Sequence, residues 1–150
     1  MDIQDRWLRG SIAGGLAGIV MNAVDYILFT LNLGEIPLWQ WASVLIYGYR
    51  TTDLSETLLA LVIHISFSAF LGIIFAYLTP KITSKNYLFK GVTYGLIVFF
   101  ASYTITQLFN VTPLIPVKGD TVIANVITAS VWGLVLAKAL RWLDKSIKAR

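Results

Sequence analysis

From Gly10 to Leu33 the chain reads GSIAGGLAGIVMNAVDYILFTLNL, with no basic residue and Asp25 as its one acid. About 20 helical residues at 1.5 Å each cover the ~30 Å hydrocarbon core of a bilayer, so this run is long enough to span one. Gly10, Gly14 and Gly18 recur at every fourth position and make a smooth ridge where a second helix can approach closely. Asn22 continues the ridge and Asp25 lies beside it. A carboxyl buried in a membrane span costs several kcal/mol unless it is paired or neutral, so Asp25 demands a partner.

Composition agrees with a membrane setting. Hydrophobic residues make up 57% of the chain and charged ones 13%, with a mean hydropathy of +0.72; soluble domains carry about 25% charged residues. An integral membrane protein is expected. Cysteine is absent, which excludes disulfides, thiolate metal sites and cysteine nucleophiles. A cleaved signal peptide does not fit the first run. Arg6 and Arg9 would supply its basic lead, but the run outlasts a 7–15-residue h-region, contains Asp25 and has no A-x-A-like exit.

Three further spans follow. Residues 56–78 end at Pro80, with Ser55 as the expected N-cap. Residues 88–109 open a new ridge with Gly91 and Gly95, and Pro113 and Pro116 forbid helix in the next link. Residues 121–143, capped by Asp120 and carrying Gly133, lead into the basic tail DKSIKAR. Between the first two spans, residues 37–50 are apolar but too short to cross. Trp39, Trp41, Tyr47 and Tyr49 there suit the headgroup layer, and Pro37 suits a first helical turn. The expected fold class is an all-α integral membrane protein. Four transmembrane helices (about 10–33, 56–78, 88–109 and 121–143) form a bundle, with one short interfacial or re-entrant segment on the outer face.

Orientation follows from the twelve basic residues. Arg6, Arg9, Lys81, Lys85, Lys90, Lys138, Arg141, Lys145, Lys148 and Arg150 fall on the side of the termini, and Arg50 and Lys118 on the other. This bias places both termini in the cytoplasm, and the net charge of +4 becomes a topology signal with anionic lipid as its partner, not nucleic acid.

The two halves of the chain can be matched. Arg9-Gly10 with Gly14 parallels Lys90-Gly91 with Gly95, and LNLGEIPL parallels LFNVTPLIP. Glu56-Thr57 parallels Asp120-Thr121, and IHIS parallels ITAS. Both halves enter from one side, so the repeat is parallel; shared caps and glycines of any two hairpins are the alternative.

Polar residues gather at one depth. With the first span centred near residue 21 and the second near 67, Asp25 and His64 each lie ~5 Å outward of the midplane on consecutive antiparallel helices. An Asp25–His64 hydrogen bond or ion pair would relieve both. Asn22, Tyr26, Tyr103, Asn125 and Thr128 are candidates for the same layer. Ser68, Gly72 and Ala76 continue from His64 as a small-residue ridge facing the first span's glycines. Two readings of the layer stand: the polar groups satisfy one another and fix register, or they line a cavity for a proton, ion or small polar solute. Haem on His64 is a third, with Met21 lying deeper than the histidine and no strong second axial ligand.

No HExxH, GxSxG, phosphate loop or catalytic acid pair occurs, so no catalytic residue, metal or cofactor is expected. Ser66 and Ser68 are expected to bond backbone carbonyls. Gly14-Gly15-Leu16, Phe29-Thr30 followed by Gly34 and Pro37, Trp41-Ala42, Tyr94-Gly95 and the Pro113/Pro116 loop resemble the YqhR-like family of small four-helix membrane proteins in spore-forming bacteria. The resemblance implies a bacterial cell membrane and carries over no catalytic residue; His64 departs from that family's pattern. The leading functional expectation is a non-enzymatic membrane protein acting by helix-mediated association, as a homo-oligomer or a small subunit of a membrane complex. The alternative is a small oligomeric transporter or channel built on the layer around Asp25 and His64.

Overall fold

The computed structural model describes residues 5–82 and 86–148, with side chains as far as Lys145. Regular structure among them is helical: α1 (Arg6–Thr30), α2 (Leu38–Tyr47), α3 (Leu54–Leu78), α4 (Tyr87–Leu108) and α5 (Gly119–Lys148), with single 3₁₀ turns at Thr79–Lys81 and Thr112–Leu114. α1, α3, α4 and α5 are long and apolar enough to cross a membrane. α2 is the short apolar segment, closed by Gly48 at φ +80°, a left-handed position that favours glycine.

Local chemistry sets the helix ends. The Asp5 carboxylate accepts from Trp7 N–H at 2.8 Å, and Asn86 accepts from Phe89 N–H at 3.1 Å. α3 starts earlier than its sequence suggests because Asp53, not Ser55, is the cap, accepting from the backbone of Ser55 (2.9 Å) and Glu56 (3.1 Å). α5 likewise starts at Gly119, so Asp120 sits inside the first turn, where its charge faces the helix's positive end. At its far end α3 is closed by Lys90, whose ammonium donates to Thr79 O and Ile82 O at 3.1 and 2.6 Å. α1 and α4 finish alike. Asn32 and Asn110 take left-handed backbone, and the next N–H turns back, Leu33 to Leu28 O and Val111 to Thr106 O.

α1 packs between α3 and α5, and α4 packs on α5. Small residues make both hairpins narrow. A Cβ on Gly10 would stand 3.0 Å from Ala76 Cβ, one on Gly14 2.9 Å from Gly72 Cα, and one on Gly18 2.8 Å from Ser68 Cβ. In the second hairpin, a Cβ on Gly91 would stand 2.7 Å from Ala137 Cβ and one on Gly95 3.4 Å from Gly133 N. The expected packing set of Gly10, Gly14, Gly18, Ser68, Gly72, Gly91, Gly95 and Gly133 is therefore in use, all of it inside the chain.

Ala13, Ala17, Phe75, Trp132, Leu136 and Leu140 form the main core, and Ile36, Trp41, Val44 and Leu114 a smaller one beneath α2. Charges sit at the two ends. Beside the termini, Arg9 pairs with Asp144, and the Arg6 guanidinium lies 5.9 Å from the Tyr77 ring centroid. At the opposite end Lys118 meets Glu35 at 2.5 Å, and Arg50 donates to Pro113 O. Lys85, Arg150 and the Lys148 side chain, all counted in the basic bias, lie outside the described residues.

Candidate functional site

The candidate polar layer resolves into separate pairs. Asn22 Nδ2 lies 3.1 Å from His64 Nδ1 and also donates to Gly18 O at 2.8 Å. On the other hairpin, Asn125 Nδ2 donates to the Tyr103 hydroxyl at 2.8 Å, and Thr128 Oγ1 donates to Asn125 O at 3.0 Å. Both pairs sit where the glycine-lined seams of their hairpins open outward.

Asp25 takes a different partner from the one expected. It is 3% exposed, and its Oδ2 accepts from Leu38 N–H at 2.8 Å, so it caps the first turn of α2. The reason is register. Helices paired as Gly14–Gly72 and Gly18–Ser68 bring Asn22 level with His64, while Asp25 stands nearly a turn further out, at the height of Pro37 and Leu38. Tyr26, placed by its sequence in the layer, instead faces outward at 55% exposure and meets the Trp39 ring at 5.9 Å.

Between α3 and α4, floored by α1 and α5 and covered at one end by α2, lies a cavity of about 340 Å³. His64, Tyr103, Asn125 and Thr128 border it, with the rings of Trp41, Phe67, Phe99 and Trp132; no Asp, Glu, Lys or Arg does. Met21 also borders it, alongside His64. At the basic end the gap is shut by Tyr94, whose hydroxyl donates to Leu71 O at 2.9 Å and whose ring packs on Phe75 and Trp132. At its mouth Ile63 and Phe67 of α3, Leu45 and Ile46 of α2 and Ser102 of α4 are exposed, so the cavity opens sideways along the apolar flank.

Two features were missed from sequence. Ser68 bonds a backbone carbonyl as expected, donating to Gly14 O on α1 at 2.7 Å, but it also accepts from Trp132 Nε1 on α5 at 2.7 Å and so joins a third helix, which its sequence context did not suggest. A tryptophan in the middle of an apolar span, far from either belt, was the available signal. Ser66, as expected, donates to a backbone carbonyl of its own helix, Val62 O. The second is Trp41, read as a headgroup anchor but buried at 8% exposure and 5.0 Å from the Tyr103 ring. Its indole N–H has no acceptor among the described residues.

Among the described residues, no group of three His, Asp or Glu side chains comes together to hold a metal ion. The cavity offers hydrogen bonding and ring contact, with no Asp, Glu, Lys or Arg of the described residues on its wall. No protein-family model matches the chain, and neither the curated proteins nor the solved structures contain a significant match to it.

Proposed function

We propose that this chain is a multi-pass protein of the bacterial cell membrane, with α1, α3, α4 and α5 as a transmembrane bundle and both termini in the cytoplasm. Its task is to bind a small neutral membrane-soluble molecule, not to catalyse a reaction. The observation that carries this reading is the charge-free cavity that opens sideways between α3 and α4. A pocket of this size with a few convergent polar groups is the usual form of a small-molecule site. Ion or proton conduction is less well supported, because no charged side chain borders the cavity and Tyr94 closes its basic end. Association through the glycine ridges loses its surface, since both ridges are occupied within the chain. A homo-oligomer or partner subunit has to use another face. Arg6, Lys81, Arg141 and Lys145 remain at the terminal end for anionic lipid, in keeping with the cytoplasmic placement.

The test is native mass measurement of protein purified in mild detergent, with organic extraction and a visible absorption spectrum. The chain is expected to carry one small molecule that is depleted in both Leu45→Trp and Ser102→Trp, which crowd the mouth at exposed positions. An extract identical between wild type and both variants overturns the reading. A Soret band would replace it with haem held by His64. Single cysteines in this cysteine-free chain report topology directly: one at Lys145 is expected to be shielded from an impermeant reagent outside cells and one at Lys118 labelled.

A further inference from the structure

We propose, resting on the reading of the cavity as a binding site, that its ligand is the head of a lipid-soluble quinone, held between a donor on α3 and a donor on α4. The argument starts from hydrogen-bond accounting. One Asn22 amide N–H is committed to Gly18 O, and His64 Nδ1 lies 3.1 Å from Asn22 Nδ2 and 3.3 Å from Asn22 Oδ1; taking the shorter contact as the bond assigns Nδ1 as acceptor and places the ring proton on Nε2. Nε2–H has no acceptor among the described residues. The Tyr103 oxygen receives Asn125 Nδ2–H, so its own O–H is left to donate, and it too has no described acceptor. His64 and Tyr103 belong to the two helices that border the gap. A polar group enclosed without its partner costs free energy that a complementary ligand recovers.

The ligand must therefore bring acceptors, and bring them at two edges. A carboxylate is disfavoured because no cation borders the cavity. A lone hydroxyl brings one acceptor oxygen to two donors and adds a donor of its own. A flat ring with carbonyls at opposite edges supplies acceptors to both sides, and the Trp41, Phe99, Tyr103 and Trp132 rings offer it apolar faces. About 340 Å³ lies near the lower end of small-molecule pockets, enough for one substituted ring and not for a long chain. The tail would leave through the mouth, past Ile63, Phe67, Leu45 and Ile46, along the apolar flank.

The experiment uses the full chain in zwitterionic nanodiscs, titrated with a decyl-substituted benzoquinone and, separately, with decylbenzene, which has the tail and ring but no carbonyl. Quenching of tryptophan emission is the readout, because Trp41 and Trp132 stand in the wall. Saturable quenching by the quinone is expected, unaffected by excess decylbenzene, with Tyr103→Phe raising the apparent Kd about five- to tenfold as one hydrogen bond is lost. Since Tyr103→Phe keeps the ring, a Tyr49→Phe control, which loses a hydroxyl bond to Glu56 away from the cavity and is expected to keep wild-type affinity, separates this loss from general loosening. Equal competition by decylbenzene, or an unchanged Kd in Tyr103→Phe, overturns the quinone assignment and leaves the cavity reading standing. Non-saturable quenching also overturns the assignment; only if the extract is also identical between wild type and the mouth variants does the cavity reading fall with it.

Discussion

His64 on α3 and Asn125 on α5 occupy equivalent places. Each stands eight residues before the glycine that narrows its hairpin, Gly72 or Gly133, and each bonds a residue eight after the facing glycine, Asn22 after Gly14 or Tyr103 after Gly95. The two hairpins thus repeat a packing register as well as a pattern of small residues. The repeat is broken in one respect: α1 packs against α5, whereas α3 and α4 stand apart and the cavity fills the gap between them.

The narrow seam is intolerant of side chains. Gly72→Leu puts carbon into Gly14 Cα, 2.6 Å from where its Cβ would stand, and is expected to cost about 2–3 kcal/mol or to block folding. Gly15, with nothing within 4 Å of an added Cβ, is the control: Gly15→Ala is expected to be neutral or to stabilise by up to about 1 kcal/mol. Thermal unfolding in detergent, read by circular dichroism, checks both.

Ser68→Ala strands the Trp132 N–H in the core and removes the bond to Gly14 O, an expected loss of about 1–3 kcal/mol. Ser66→Ala removes only a bond within one exposed turn and should stay within about 0.5 kcal/mol of wild type. A red shift of tryptophan emission should accompany Ser68→Ala and not Ser66→Ala.

Asp25 is expected to matter through α2. Asp25→Ala removes the acceptor for Leu38 N–H and should cost about 1 kcal/mol, felt as faster amide exchange across residues 38–47, while α3 and α5 exchange as before. Asp25→Asn keeps an acceptor oxygen and should restore most of that protection. Equal exchange in Asp25→Ala and wild type would remove Asp25 from this role.

At the start of α3 the sign of a pH effect is fixed by Asp53. Its hydrogen bonds from the Ser55 hydroxyl, then the Glu56 N–H, favour the charged form and hold its pKa below the usual 3.8. A depressed carboxyl contributes stability above its unfolded value and loses it as pH falls through the folded one. The first turn of α3 should therefore hold at pH 5 and fray below about pH 3.8. Asp53→Asn should abolish that pH dependence in exchange measurements.

Four long helices, their glycine seams and the short apolar helix α2 were legible because each rests on local pattern: run length, fourfold spacing, a proline or glycine at an end. Pairing across helices was less so. Matching IHIS with ITAS by eye aligned His64 with Thr128, whereas the contacts of Gly72 and Gly133 align it with Asn125, nearly one turn away. Centring each span on its apolar midpoint set Asp25 level with His64, but backbone contact between glycines sets the true register and puts Asn22 there. Trp41 showed the same limit: an aromatic in a short apolar run reads as an anchor, and only the approach of Tyr103 and Leu114 makes it core.

Each glycine seam joins two helices that are consecutive among the long ones, so each hairpin carries its closest packing within its own stretch of chain. What binds hairpin to hairpin is different in kind: the α1–α5 contact, the Trp132 indole on the Ser68 hydroxyl, Tyr94 on Leu71 O and Phe75, Lys90 on Thr79 O, the ion pair of Arg9 and Asp144, and at the far end the Glu35–Lys118 and Arg50–Pro113 contacts. During synthesis the first pair can zip as soon as α3 has emerged, long before Trp132 exists. The cavity is then made last, as a product of docking, and neither hairpin alone contains it.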